Sequence, residues 1–69
     1  MVEVFKTNIA KVGQSKLLVK KLLQHFPSSY INFDLDDCDN VLRVEGDNIC
    51  PEKIITLVTE HGYQCEALA

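Results

Sequence analysis

Five side chains of this protein have the chemistry to bind a soft or borderline metal ion or to act as nucleophiles. They are those of His25, Cys38, Cys50, His61 and Cys65. No two of the cysteines stand in a Cys-x-x-Cys spacing, which lets two thiolates of one loop converge on one ion. Three widely spaced cysteines also do not make the even-numbered framework of a secreted disulfide-rich domain. We therefore predict free thiols and a cytoplasmic protein.

Cys38 and His61 are a pair that folding could bring together, because one lies in a turn-forming segment and the other ends a helical pattern. Thiolate and imidazole are ligands that suit zinc and copper ions. The alternative, which we favour, is that Cys38 is a tolerated turn residue and that His61 is stabilised by the negative end of a helix dipole.

Cys50 and Cys65 are expected to have structural roles. Cys50 directly precedes Pro51, where a second helix should begin, and the positive helix end makes modification or redox chemistry an alternative for its thiol. His25 is expected close to it, at the end of the first helix. Cys65 is expected on the inward face of the last strand, where a free cysteine packs as a small hydrophobe.

Acidic residues cluster at the central turn without forming a calcium loop. An EF-hand loop needs Asp or Asn at its fifth position, Gly at its sixth and Glu at its twelfth. Counted from Asp34, those places hold Cys38, Asp39 and Glu45, so two of the three requirements fail. No Ser/His/Asp or Cys/His pair is adjacent in sequence either. We predict a protein that is not an enzyme and has no cofactor.

The elements that position these residues follow from the periodicity of the apolar side chains. Segments Lys16–Phe26 and Pro51–His61 have apolar residues every three or four positions, which predicts two amphipathic helices, the first capped by Ser15. Val2–Thr7 and three alternating segments predict four strands. Which face of the first strand points inward is ambiguous. The expected inward residues of the others are Ile31, Phe33, Leu35, Leu42, Val44, Tyr63, Cys65 and Ala67.

The order strand, helix, strand, strand, helix, strand predicts an α+β fold. Both helices must bury their apolar stripes on one face of a four-stranded antiparallel sheet, which gives a ferredoxin-like βαββαβ two-layer sandwich. The 69 residues are expected to form one domain, 1–69. In such a fold the first strand–helix loop, the 37–40 turn and the 61–63 junction should meet at one end of the sheet.

The charge balance argues against two classes of partner. The net charge of −3 lacks the clustered excess of lysine and arginine that a nucleic-acid footprint needs. The third predicted strand offers Arg43 rather than the stacking aromatics of an RNA-binding sheet. No apolar run approaches the length of a membrane-spanning helix, so we expect no membrane insertion.

The pattern as a whole resembles the heavy-metal-associated (HMA) domain family of copper chaperones and metal-pumping ATPase modules. The likeness covers nearly the whole chain. It is carried by Val19-x-x-Leu22-Leu23, by Asp34-Leu35 followed by 41–46, and by Ile54-x-x-Leu57-Val58-x-x-x-Gly62-Tyr63. The resemblance implies the same ferredoxin-like fold, and it implies partner docking through the loop between the first strand and the first helix.

That loop departs from the family's Met-x-Cys-x-x-Cys motif. Ala10 stands at the methionine position, and Val12 and Ser15 stand at the two cysteine positions. Valine has no ligand atom, and a hydroxyl is a poor partner for a soft ion. We therefore expect no metal at the family site, and the resemblance implies a contact role for Ala10, Lys11, Val12 and Ser15.

The sequence thus predicts a non-catalytic protein-interaction or regulatory module with a degenerate metal loop and an unknown protein partner. The alternative is a copper- or zinc-handling protein that uses a rebuilt site with Cys38 and His61, a site that two chains could share. A third hypothesis is a small-molecule sensor built on a dimeric sheet.

Overall fold

Four strands and two helices follow one another in the predicted order, strand, helix, strand, strand, helix, strand. The computed structural model describes residues 1–36 and 38–68. Its elements are β1 (Val2–Thr7), α1 (Val12–His25), β2 (Tyr30–Asp34), β3 (Val41–Glu45), α2 (Pro51–Glu60) and β4 (Cys65–Leu68). The strands form one antiparallel sheet in the order β2-β3-β1-β4. The predicted α+β, ferredoxin-like two-layer sandwich is confirmed.

The strand register settles which face of β1 points inward. Phe5 pairs with Leu42, and Leu42 pairs with Phe33, so these three side chains share one face. Phe5 and Leu42 are fully buried on it. Val2 and Val4 therefore lie on the opposite, open face.

The core joins that inner face of the sheet to both helices. Leu18 and Leu22 of α1 and Ile54 and Val58 of α2 are fully buried, as their three- and four-residue spacing predicts. Their stripes complete the second layer of the sandwich. The buried cluster consists of Phe5, Ile9, Leu18, Leu22, Leu42, Val44, Ile49, Ile54 and Val58.

Helix α1 begins one turn earlier than predicted, and Ser15 is not its N-cap. The N-cap is Lys11, whose side chain makes no capping hydrogen bond. Ser15 lies in the first turn instead, 7% exposed, and its Oγ donates to the carbonyl of Val12 over 2.7 Å. A side chain this small fits under the helix, so the buried stripe of Leu18 and Leu22 extends backward to Ser15 and continues the helix past Gly13.

Helix α2 begins at the predicted residue and ends at Glu60, one residue before the predicted end, with His61 as its C-cap. Cys50 is its N-cap and Pro51 is its first residue, where the missing N–H has no cost. Beyond its end Gly62 has φ +89, a left-handed conformation that glycine adopts without strain.

Three residues of the predicted inward face lie at its margin. Ala67 pairs with Phe5 but is exposed, because it lies towards the end of an edge strand. Leu35 is half-buried beyond the end of β2, and Tyr63 packs against the core just before β4 begins. Among the described residues, no helix is long and apolar enough to cross a membrane.

Candidate functional site

Three connections meet at one end of the sheet, which we call the loop end: residues 8–11, the 35–40 turn and residues 61–64. The N–H of Thr7 donates to the Asp39 carbonyl over 3.2 Å, and its Oγ1 donates to the Asn40 carbonyl over 2.6 Å. On the other side, the N–H of Gln64 donates to Oδ1 of Asn8 over 2.8 Å. These bonds link the end of β1 to both neighbouring connections, as the topology predicts. Asp37, which belongs to the predicted turn, lies outside the described residues.

The turn and β1 are also linked electrostatically. Nζ of Lys6 lies 3.8 Å from Oδ1 of Asp39, and both side chains are substantially exposed. Exposed pairs of this kind contribute little to stability. Asn40 closes the turn with φ +48, a conformation that asparagine tolerates better than most residues. Hydrogen bonds rather than charge therefore fix the loop end.

The four residues predicted to contact a partner differ in their exposure to solvent. Ala10, Lys11 and Val12 are exposed, and Val12 has 60% of its surface in solvent although it is apolar. Ser15 is buried, and its hydroxyl is engaged by a backbone carbonyl. The exposed part of this segment is therefore 10–12, and Ser15 is buried beneath the first turn of the helix. A metal ion at this position would meet no exposed nitrogen, sulfur or carboxylate ligand from 10, 12 or 15.

Charge is strongly segregated around α1. Residues 4–33 contain five lysines and no acidic residue, in a chain with seven cationic and ten acidic side chains. Lys11, Lys16 and Lys20 are exposed. The remainder of the chain therefore holds every acid and only two cations. A negatively charged protein thus presents one helix of purely positive charge.

Cys38 and His61 are both exposed and belong to the connections of the loop end. Nδ1 of His61 lies 2.8 Å from the Leu57 carbonyl, which can only accept, so Nδ1 carries the proton and Nε2 of a neutral ring is left as the ligand atom. Within the described residues, no group of three or more His, Cys, Asp or Glu side chains is placed to hold a metal ion. A site built on this pair would need ligands from outside that set.

Cys50 and His25 line one groove of about 540 Å³ between the end of α1 and the start of α2. The sequence predicts this proximity. Cys65 is half-buried against the core, and burial raises the pKa of its thiol to about 11. A thiol that stays protonated is a weak nucleophile and a weak ligand, which fits the predicted packing role.

An open cleft at the opposite end of the sheet has no counterpart in the sequence analysis. Its volume is about 640 Å³, and Phe26, Tyr30, Glu45 and Asp47 are among its lining residues. Tyr30 is 77% exposed. The sequence does carry one signal for this cleft. A tyrosine begins β2, and the apolar residues of that strand alternate on the opposite face of the sheet.

Comparison with known proteins gives no match to this chain. No protein-family model matches it, and neither a curated protein nor a solved structure does.

Proposed function

We propose that this chain is a protein-interaction module on an HMA-like scaffold, whose loop end contacts a partner instead of carrying a metal ion. The observation that carries the proposal is Val12, an apolar side chain 60% exposed at the first position of a helix. A protein contact surface has an apolar centre and a polar rim, and Val12 with its charged neighbours has this arrangement. The residues of the surface are Ala10, Lys11 and Val12, supported by the buried Ser15.

Charge indicates the chemistry of the partner. Lys11 adjoins Val12, Lys16 and Lys20 follow one and two turns along α1, and no acid lies within residues 4–33. The acids of the loop end belong to its 35–40 turn. Complementary potentials accelerate association and reject wrong partners. An acidic surface with an apolar pocket for Val12 fits this arrangement. The negative charge on the rest of the chain would repel nucleic acid and anionic lipid from the other faces.

The absence of ligand atoms at the motif supports a contact role over metal transfer. Soft ions are held by thiolates, and positions 12 and 15 supply a methyl group and an engaged hydroxyl. The fold is retained while this chemistry is lost. Under this proposal, selection of partners depends on shape and charge at the loop end, without an ion that bridges the two proteins.

The test compares Val12→Asp with Leu17→Asp in partner capture from the source cells, quantified for each captured protein. Both residues are exposed apolar residues of α1, and their spacing puts them on different faces. An aspartate at the first helical position does not weaken the helix, because it complements the positive dipole end. We expect a captured protein that is lost with Val12→Asp and kept with Leu17→Asp. Equal capture by both variants would refute the contact role of Val12.

A rebuilt metal site remains a second proposal because Cys38 and His61 are both exposed on the connections of one end. It requires further ligands, for which a second chain is the simplest source. The test is Cu(I) or Zn²⁺ titration of Cys38→Ala under reducing conditions. Metal uptake and metal-dependent spectra that are unchanged in this variant would exclude the site.

A further inference from the structure

We propose that the open cleft opposite the loop end, which we call the basal cleft, binds an organic cation of the alkylammonium class. Two connections form its walls, that between α1 and β2 and that between β3 and α2. Its volume is about 640 Å³ and it is open to solvent, which leaves room for a small ligand held at its walls. This site is separate from the proposed partner surface, since neither Val12 nor any other residue of 8–12 lines it.

The first argument is the pairing of an aromatic ring with a carboxylate. Tyr30 and Glu45 are direct cross-strand partners, which places their Cβ atoms about 5 Å apart on one face of the sheet. Tyr30 is 77% exposed, so its ring face is available to a ligand. A cation is attracted both by the face of such a ring and by a neighbouring carboxylate.

The second argument is the charge of the walls. Glu45 and Asp47 both line the cleft, and the one cation of its lining among the described residues that is not a histidine is the α-amino group of Met1. Within the same described set, neither carboxylate takes part in an ion pair or hydrogen bond. The two carboxylates outnumber that one ammonium group, which forms no ion pair with either of them, and a cationic ligand would balance the excess negative charge.

The third argument is the rigidity of the site. The N–H of Gly46 donates to the carbonyl of Met1 over 3.0 Å. A Cβ at position 46 would lie 2.8 Å from Oγ of Ser29 and 3.3 Å from its Cα, so the two walls of the cleft touch at this glycine. This close contact holds Glu45 and Asp47 in a fixed relation to the 26–30 segment. A preorganised site loses less entropy when it binds.

The remaining polar groups suit the same ligand class. Phe26 adds a second aromatic side chain to the lining. Nδ1 of His25 lies 3.2 Å from the Lys21 carbonyl, so a neutral His25 ring is left with Nε2 as an acceptor. Carboxylates, hydroxyls and this nitrogen can all accept hydrogen bonds. An ammonium group supplies what they attract, which is hydrogen-bond donors or positive charge.

The experiment is an amide NMR titration with choline and, as a matched probe, its neutral isostere 3,3-dimethylbutan-1-ol. We expect millimolar choline to shift Tyr30, Gly46 and the 47–48 amides, with the alcohol binding at least about fivefold more weakly. Glu45→Gln/Asp47→Asn should abolish the shifts. Tyr30→Leu should weaken binding about two- to fivefold, because it keeps an apolar side chain but removes the π face.

The control variant is Glu60→Gln/Glu66→Gln, which removes the same charge at exposed positions outside the cleft. It should bind choline as the wild type does. Equal binding of choline and the alcohol would identify an apolar pocket and overturn the proposal. Loss of choline binding in the control variant, or no shift at millimolar choline in the wild type, would overturn it as well. Folding of each variant is read from the dispersion of the same spectra.

Discussion

The two helices begin in contrasting ways, although they bury similar stripes on one sheet. Helix α2 opens with Cys50 as N-cap, Pro51 at the first position and Glu52 in the first turn, where its charge complements the dipole. Helix α1 opens with Lys11 as N-cap and has no acidic residue in its first turn. Gly13 then stands in that turn with no atom within 4 Å of a Cβ built on it.

The first turn of α1 is therefore expected to contribute less to the stability of its helix than the first turn of α2 does. A lysine N-cap and a helical glycine each make a helix less stable than common alternatives do. Among the described residues, the N-cap side chain makes no capping hydrogen bond and the first turn of α1 has no acidic residue. Departures from local stability of this kind are found at functional sites, so the contrast supports the proposed contact role of the start of α1.

The largest expected effect tests whether the two helices share one core. Leu18→Ala and Ile54→Ala each remove a fully buried side chain, so each should lower the free energy of unfolding by about 2–5 kcal/mol. Leu17→Ala, on the exposed side of α1, should change it by less than about 0.5 kcal/mol. Urea unfolding measures all three. A small effect at Leu18 with a large one at Ile54 would mean that α1 is not an equal part of the core.

The second prediction sets the two exposed glycines against each other. Gly13→Ala should stabilise the protein by about 0.5–1 kcal/mol, because Gly13 is helical and has open space beside it. Gly62→Ala should destabilise it by about 1 kcal/mol or more, because φ +89 is strained for any side chain. Changes in the free energy of unfolding that have the same sign in both variants would contradict this difference.

The third prediction separates stability from contact at the N-cap of α1. Lys11→Asp should raise the free energy of unfolding by about 1 kcal/mol, because aspartate caps the free N–H groups. The same change reverses a charge of the proposed surface and should abolish partner capture. Lys53→Asp, at an exposed position in α2 away from the loop end, is the matched charge reversal and should leave capture intact. Retained capture in Lys11→Asp would show that Lys11 is not part of the interface.

The fourth prediction concerns Cys65 and is confined to alkaline pH. Burial raises the pKa of its thiol from 9.0 to about 11, so the folded state favours the protonated form more than the unfolded state does. The contribution to stability is complete below pH 9 and is lost between pH 9 and about 11. Cys65→Ala should be less sensitive to pH across that window. Equal slopes of unfolding free energy against pH in both proteins would contradict the burial of this thiol.

At neutral pH, Cys38 and Cys65 should differ in their rates of alkylation. Because Cys38 is exposed and Cys65 is half-buried with a raised pKa, iodoacetamide should modify Cys38 first. Peptide mass mapping after a short exposure measures the order. Faster modification of Cys65 would mean that β4 opens readily.

The sequence predicted most of the fold because apolar spacing carries most of the information. The stripe of Leu18 and Leu22, the alternation of β2 and β3, and the Pro51 and Gly62 boundaries of α2 all follow from local chemistry. The start of α1 did not, because Ser15 resembles an N-cap in sequence while its burial depends on the packed sheet below. The face of β1 was settled only by pairing with β3.

The candidate sites were less accessible to sequence analysis. The loop residues were identified through a family resemblance, and the loop end was expected from topology. The basal cleft was missed, since it joins side chains as distant in sequence as Tyr30 and Asp47. Its walls are brought together by the pairing of Tyr30 with Glu45 and by the close approach of Gly46 to Ser29, and no local pattern encodes that approach.

The most direct test of the central claim is a Cu(I) titration under reducing conditions, followed by amide NMR. The samples are the wild type and Val12→Cys/Ser15→Cys, which restores the two thiols with little change of volume at position 15. The account predicts no wild-type shifts at residues 10–15 and stoichiometric binding by the double variant at that loop. Stoichiometric wild-type binding of micromolar or tighter affinity would contradict a loop end devoted to partner contact. A double variant that stays folded yet binds no Cu(I) would contradict the proposed HMA-like scaffold.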